Sequence, residues 1–112
     1  TTPRLVGCDI FGCGLIGLNG FETTLTMQDS AIRDCSENAV RWSGSGDATF
    51  ENCFFAGNGA TLFYIYDGGA SFTLTDCTIQ NNASSQKRAY FDETTAGPWN
   101  ETGTVESGNG WQ

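Results

Sequence analysis

Apolar positions in this chain recur once per block of a little over twenty residues, and they recur in register. Leu5-Val6-Gly7-Cys8-Asp9-Ile10, Met27-Gln28-Asp29-Ser30-Ala31-Ile32, Phe50-Glu51-Asn52-Cys53-Phe54-Phe55 and Leu74-Thr75-Asp76-Cys77-Thr78-Ile79 are versions of one pattern, spaced 22, 23 and 24 residues apart. Aligned, they give an apolar column Leu5/Met27/Phe50/Leu74 and a Gly or Asx column Gly7/Asp29/Asn52/Asp76. Beside these run a column Cys8/Ser30/Cys53/Cys77, a second apolar column Ile10/Ile32/Phe55/Ile79, and a column Cys13/Cys35/Asn58/Asn82. A period of this length is one turn of a solenoid rather than a domain of its own.

Each block continues through a second apolar run into a turn: Leu15-Ile16-Gly17-Leu18 before Asn19-Gly20, Ala39-Val40-Arg41-Trp42 before Ser43-Gly44, Leu62-Phe63-Tyr64-Ile65-Tyr66 before Asp67-Gly68, and Ala89-Tyr90-Phe91 before Asp92. Short β-branched and aromatic runs punctuated by Gly, Asn, Asp and Ser read as three strands per block. No window carries the 3.6-residue spacing of a helix. A hairpin meander would not repeat side-chain identities from turn to turn. The pattern therefore predicts an all-β chain, a right-handed single-stranded parallel β-helix of about four coils of 22–24 residues, each strand pairing with its counterpart one coil away at about 4.8 Å. Like stacks on like, so the apolar columns fill the interior and Asn52, Asn58, Asp76 and Asn82 are expected to form hydrogen-bonded ladders at the bends.

The C-terminal stretch reads two ways. Counting seven residues on from Ser43, Asp67 and Asp92 reaches Phe50, Leu74 and Trp99, which places Trp99 in the first apolar column and makes residues 93–112 a degenerate fifth coil capping the stack. The other reading is an acidic tail. Residues 1–92 hold the regular coils in either case.

With 112 residues there is room for one domain, and the 38% apolar fraction, distributed in register, can build a core despite 15 glycines. Thirteen acids against five bases, net charge −8, argue against nucleic acid or an anionic membrane as partner. No apolar stretch is long enough for membrane insertion as a helix. Neither an initiator Met nor a signal sequence is present, which reads as a processed protein or an excised segment. No cofactor is expected. A metal is not expected either, because the chain lacks His, a C-x-x-C pair and a calcium-loop pattern.

Five cysteines and a single lysine fit an extracellular or cell-surface protein better than a cytosolic one. Cys13 and Cys35 stack on adjacent coils, as do Cys53 and Cys77, within the separation a disulfide accepts; the alternative is a ladder of reduced, buried thiols. Cys8 faces Ser30 and is left as an unpaired thiol. Two N-x-S/T sequons, at Asn82 and Asn100, suggest a glycoprotein. Asn82 belongs to the inward Asn column, whereas Asn100 follows an inward Trp99 and should point outward.

The segments Phe55-Ala56-Gly57-Asn58, Gly68-Gly69-Ala70 and Asp76-Cys77-Thr78-Ile79-Gln80-Asn81-Asn82-Ala83 resemble the FxxN and GGA[ILV] repeats of polymorphic outer-membrane-protein-like β-helices, and the coil is similar to the general pectate-lyase-like repeat over about residues 5 to 83. The resemblance implies the fold; it does not imply one activity. Many β-helices cut polysaccharides, and Asp29 and Asp76 share a column two coils, about 10 Å, apart, slightly beyond an inverting carboxylate pair. Gly-His-Gly and Arg-x-Lys signatures of pectin-degrading enzymes are absent. The expectation is a non-enzyme, a secreted or surface-displayed structural module for assembly into filaments or for adhesion. Its expected partner is itself, end to end, with surface glycans as a further ligand class. The alternative is a carbohydrate-binding or carbohydrate-processing fragment, for which a column Leu18/Trp42/Tyr66/Phe91 would supply an aromatic contact face if it points outward and core if it points inward.

Overall fold

The computed structural model describes residues 3–66, 69–90 and 97–112. Their strands are β1 (Arg4–Val6), β2 (Asp9–Phe11), β3 (Leu18–Phe21), β4 (Leu25–Gln28), β5 (Ala31–Arg33), β6 (Val40–Ser43), β7 (Asp47–Glu51), β8 (Phe54–Ala56), β9 (Phe63–Tyr66), β10 (Ser71–Thr75), β11 (Thr78–Gln80), β12 (Arg88–Tyr90), β13 (Trp99–Thr102) and β14 (Val105–Ser107). They form three parallel sheets. Sheet A runs β1-β4-β7-β10-β13, sheet B runs β2-β5-β8-β11-β14, and sheet C runs β3-β6-β9-β12. The chain passes from A to B to C and back, so each circuit is one turn of a β-solenoid, and β13 and β14 add an incomplete fifth.

The pairing register reproduces the sequence columns in sheets A and B. Leu5 lies beside Met27, Met27 beside Phe50 and Phe50 beside Leu74, while Ile10, Ile32, Phe55 and Ile79 stack likewise. Alternation puts these residues inside, and Met27, Phe50, Leu74, Ile32, Phe55 and Ile79 are fully buried. Phenylalanines meet edge to face in the interior, Phe50 with Phe55 at 5.4 Å and Phe55 with Phe63 at 5.2 Å between centroids, a preferred arrangement for the ring quadrupole.

What holds this register is a pair of left-handed bends per turn. The residue that ends each sheet A strand is Gly7, Asp29, Asn52, Asp76 or Gly103, and the one that ends each sheet B strand is Gly12, Asp34, Gly57, Asn81 or Gly108; all ten have φ between +50° and +69°. Only Gly, Asn and Asp adopt that conformation at low cost. The bend amides are satisfied between turns, Asp29 N–H donating to the Glu51 carbonyl at 3.1 Å and Asn52 N–H to that of Thr75 at 2.8 Å. The Asx column therefore records a backbone requirement. Asn52 and Asp76 are exposed on the outside of the bend; the ladder expected there has one rung, Asn52 Nδ2 donating to Asp29 Oδ1 at 2.8 Å, and it lies at the surface.

Length variation gathers at the corner between sheet C and the next sheet A strand. From Leu18 to Met27 the chain advances nine residues, from Val40 to Phe50 ten, from Phe63 to Leu74 eleven, and from Arg88 to Glu101 thirteen, between positions matched by strand pairing. A fixed count across this corner misplaces the last turn. Trp99 pairs with Phe72, not Leu74, and joins the inward column Leu25/Ala48/Phe72; its ring stacks on Phe72 at 5.4 Å. Glu101 takes the place beside Leu74.

Sheet C departs from a register aligned on the turns that follow it, which lie in this variable corner; counted on from sheet B, Leu18, Val40 and Phe63 each lie eight residues beyond Ile10, Ile32 and Phe55. Trp42 pairs with Gly20 and Ile65, and Tyr66 pairs with Ser43, so Trp42 and Tyr66 do not share a column. Trp42 is fully buried beneath Gly20, where any Cβ would run into the indole. Tyr66 faces out, 5.8 Å from Tyr64, and Phe91 lies outside the described residues. The column is therefore not one aromatic contact face.

Replacing Gly57 by Ala tests the bend requirement. At φ +68° the new Cβ is strained and meets the Asp34 carboxylate of the neighbouring turn, so Gly57→Ala should lower stability to urea by about 1–2 kcal/mol. Alanine at the exposed Ser85 should leave the midpoint unchanged.

Candidate functional site

The longest buried polar system is an asparagine ladder at the second bend. Asn58 and Asn82 are almost wholly buried and Asn109 nearly so. Each side-chain oxygen accepts from the preceding turn: Cys35 N–H donates to Asn58 Oδ1 at 3.1 Å, Asn58 N–H to Asn82 Oδ1 at 3.0 Å, and Asn82 N–H to Asn109 Oδ1 at 3.0 Å. Each side-chain nitrogen in turn donates to a strand carbonyl one turn back: Asn58 Nδ2 to Ile32 at 3.3 Å, Asn82 Nδ2 to Phe55 at 3.1 Å, and Asn109 Nδ2 to Ile79 at 3.0 Å. The bend thus buries its amides with partners, the condition under which buried polar groups stabilise. With its amide committed inside, Asn82 cannot carry a glycan in the folded chain; Asn100 is exposed on β13.

The ladder ends on a substitute. Asn109 N–H and Nδ2 donate to Gln112 Oε1 at 3.0 and 2.9 Å, so Gln112 supplies the oxygen that a further turn's Asn would. The apolar columns close by a different device. The column of Leu74 ends on Glu101 and that of Ile79 on Glu106, and Lys87 precedes β12 where Ala39 and Leu62 precede β6 and β9. Lys87 Nζ pairs with Glu101 and, at 2.8 Å, with Glu106 Oε2, and the Trp111 indole N–H donates to Glu106 Oε1 at 2.8 Å. Three inward columns therefore run into one ion-paired cluster. Burial alone would raise the Glu106 carboxyl, but the hydrogen bonds from Lys87 and Trp111 and the Lys87 charge hold it below its ordinary value.

All five cysteines are free thiols, which corrects the expected Cys13/Cys35 and Cys53/Cys77 disulfides. The pairs are neighbours nonetheless. The Cys53 thiol is pushed up by its hydrogen bond with Cys77 and by burial, and Cys35 by burial first and Cys13 second. Such thiols are poor nucleophiles. Their work is local: Cys53 Sγ donates to the Met27 carbonyl at 3.3 Å and Cys77 Sγ to that of Phe50 at 3.4 Å. Ser30 occupies the same column and takes the Cys8 amide at 3.0 Å, leaving Cys8 half-buried and unpaired.

The outside of the first bend forms an open cleft of about 470 Å³ lined by Arg4, Gln28, Asp29, Glu51, Asn52, Thr75 and Asp76. Asp29 and Asp76 thus share one surface, with Asn52 between them donating to Asp29 Oδ1 at 2.8 Å. A polar chain crosses the cleft: Arg4 Nε donates to Gln28 Oε1 at 2.8 Å and Gln28 Nε2 to Glu51 Oε2 at 2.7 Å. Among the described residues no group of three or more acidic, Cys or His side chains is placed to hold a metal, and no helix is long and apolar enough to cross a membrane.

Lys87, Glu106, Trp111 and Gln112 escape a reading based on likeness between repeats, because they act by breaking columns. The legible signal is a charge where the aligned position is apolar, as in Ala39, Leu62, Lys87.

Two outcomes follow. Asn58→Ala removes bonds on both sides and leaves Asn82 partly unpaired, so stability should fall by about 1–3 kcal/mol in urea unfolding; an unchanged midpoint would mean the ladder is not formed. Because Glu106 is depressed in the fold, its contribution is present above the unfolded carboxylate value, near 4, and is lost as pH falls through the folded value. Amide exchange of Val105–Asn109, corrected for intrinsic rates, should accelerate below about pH 4, and Glu106→Gln should flatten that dependence.

Comparison with curated proteins and with solved structures gives no match. The family model described as a right-handed β-helix region matches residues 2–104, and with the parallel solenoid this places the chain in the right-handed β-helix family.

Proposed function

We propose that this β-helix is a non-catalytic structural module, displayed outside the cell or on its surface, whose work is assembly or adhesion. The observation that carries the reading is that the interior is committed to holding the coil: the Asn58, Asn82 and Asn109 amides bond from turn to turn, the Cys53 and Cys77 thiols donate to strand carbonyls, and the aromatic side chains pack on one another. The likeness to polymorphic outer-membrane-protein repeats points the same way.

A carbohydrate-processing reading has one observation in its favour, the cleft that gathers Asp29, Glu51 and Asp76 beside Arg4. It provides hydrogen-bonding groups for a sugar chain, but the Asp29 and Glu51 carboxylates are already bonded to Asn52 and Gln28 and Asp76 is exposed.

Incubation with acidic and neutral polysaccharides should release neither reducing ends nor unsaturated products. Product formation abolished by Asp29→Asn or Asp76→Asn would replace the structural reading by the catalytic one. Static light scattering from micromolar to submillimolar chain should show mass rising with concentration.

A further inference from the structure

Two of the three Asn-Gly bonds in the chain, Asn58-Gly59 and Asn109-Gly110, lie in the buried ladder, whereas the third, Asn19-Gly20, has its Asn exposed on β3. The two residue types are there for separate reasons. Asn supplies the ladder amide, and Gly clears the preceding turn: a Cβ at Gly59 would stand 2.3 Å from the Ser36 carbonyl oxygen, and one at Gly110 2.3 Å from that of Ser84. Side by side they form a labile dipeptide, because no side chain shields the nitrogen that follows the Asn carboxamide.

The chemistry is intramolecular and consumes only water. The Gly nitrogen, once it has given up its proton, attacks Asn Cγ. The new N–Cγ bond closes a succinimide, the Cγ–Nδ2 bond breaks, and Nδ2 leaves as ammonia with that proton. Water then adds to one of the two ring carbonyls and opens the ring to aspartate or, through the side chain, to isoaspartate. In the folded chain each reacting group at Asn58 is held. Gly59 N–H donates to the Cys35 carbonyl at 2.9 Å, Asn58 Nδ2 donates to the Ile32 carbonyl at 3.3 Å and to Asn82 Oδ1 at 3.0 Å, and Asn58 Oδ1 accepts from Cys35 N–H at 3.1 Å. Asn58 has no surface open to water. Asn109 is held in the same way, Gly110 N–H donating to the Asn82 carbonyl at 2.8 Å and Asn109 Nδ2 to that of Ile79 at 3.0 Å.

We propose that Asn58-Gly59 and Asn109-Gly110 are latent deamidation sites that make prolonged opening of the coil a one-way event. While the turns are stacked the amides persist. A turn that stays open until the succinimide forms comes back with a residue the ladder does not accept. An aspartate in place of Asn58 loses the donor to Ile32 and sets a carboxylate against that carbonyl and Asn82 Oδ1 in a fully buried site. An isoaspartate adds an atom to the main chain and displaces the residues after it from the turn they pair with.

The test is to hold the chain at mildly alkaline pH with and without denaturing urea and to map aspartate and isoaspartate by peptide mass spectrometry. In urea, positions 58 and 109 should convert while Asn82-Ala83, where a Cβ follows, stays intact. Without urea, conversion at 58 and 109 should be at least about tenfold slower, because it tracks the open population. Gly57→Ala should raise the native rate at Asn58, relative to its rate in urea, about fivefold or more. After urea is removed, the folded pool isolated by size exclusion should be depleted at least about tenfold in chains converted at 58 or 109. Asn58→Asp should lower the refolded yield in the same way, and Asn19→Asp should not. Equal rates at Asn58 in folded and unfolded chain would overturn the latent site. A folded pool carrying converted position 58 in the same proportion as the whole sample would overturn the one-way step.

Discussion

The structure depends on a backbone constraint repeated twice per turn: the chain must leave sheet A, and then sheet B, through a left-handed residue. Where that condition is met, consecutive strands begin at the same height and the side-chain columns follow. Gly7, Asp29, Asn52, Asp76 and Gly103 satisfy it at one bend and Gly12, Asp34, Gly57, Asn81 and Gly108 at the other. Single glycines over carboxylates, such as Gly57 against Asp34 and Gly103 against Asp76, show that the two residue types also share space between turns. The inward aromatic contacts and the Asn ladder are consequences of this register, because a slip of one residue would turn each of those side chains outward.

The third corner has no such rule, and the chain lengthens there from turn to turn. This explains what the sequence columns revealed and where they failed. Leu5, Met27, Phe50 and Leu74, like Ile10, Ile32, Phe55 and Ile79, were legible because they flank the first constrained bend at fixed distances, two residues before it and three after it. Trp99 was not, because reaching it requires counting across an unconstrained loop, and the relation of Trp42 to Tyr66 is lost when the blocks are aligned on the Gly turns of that loop; counted on from sheet B, Gly20, Trp42 and Ile65 each lie ten residues beyond Ile10, Ile32 and Phe55. The position of Asn58 above Asn82 was legible from identity alone. The exposed placement of Asn52 and Asp76 was not, since an Asx column serves equally as a buried ladder or as a string of left-handed bends. Only φ and burial separate the two.

Ends are the part of a solenoid that repetition describes least well. The last turn is recognisable once the columns are followed past the point where they stop being apolar: Lys87 pairs with Glu101 and Glu106 over the core, and Gln112 completes the bonds of Asn109.

How far the register holds along the stack is best measured by residue-resolved native amide exchange at a concentration low enough to keep the chain dilute. The account predicts slow exchange through turns two to four, protection extending to the bonded Asn82, Val105 and Gly110 amides of the far end, and rapid opening of the first turn. Fast exchange at the far end, with the first turn as protected as the middle of the stack, would contradict it.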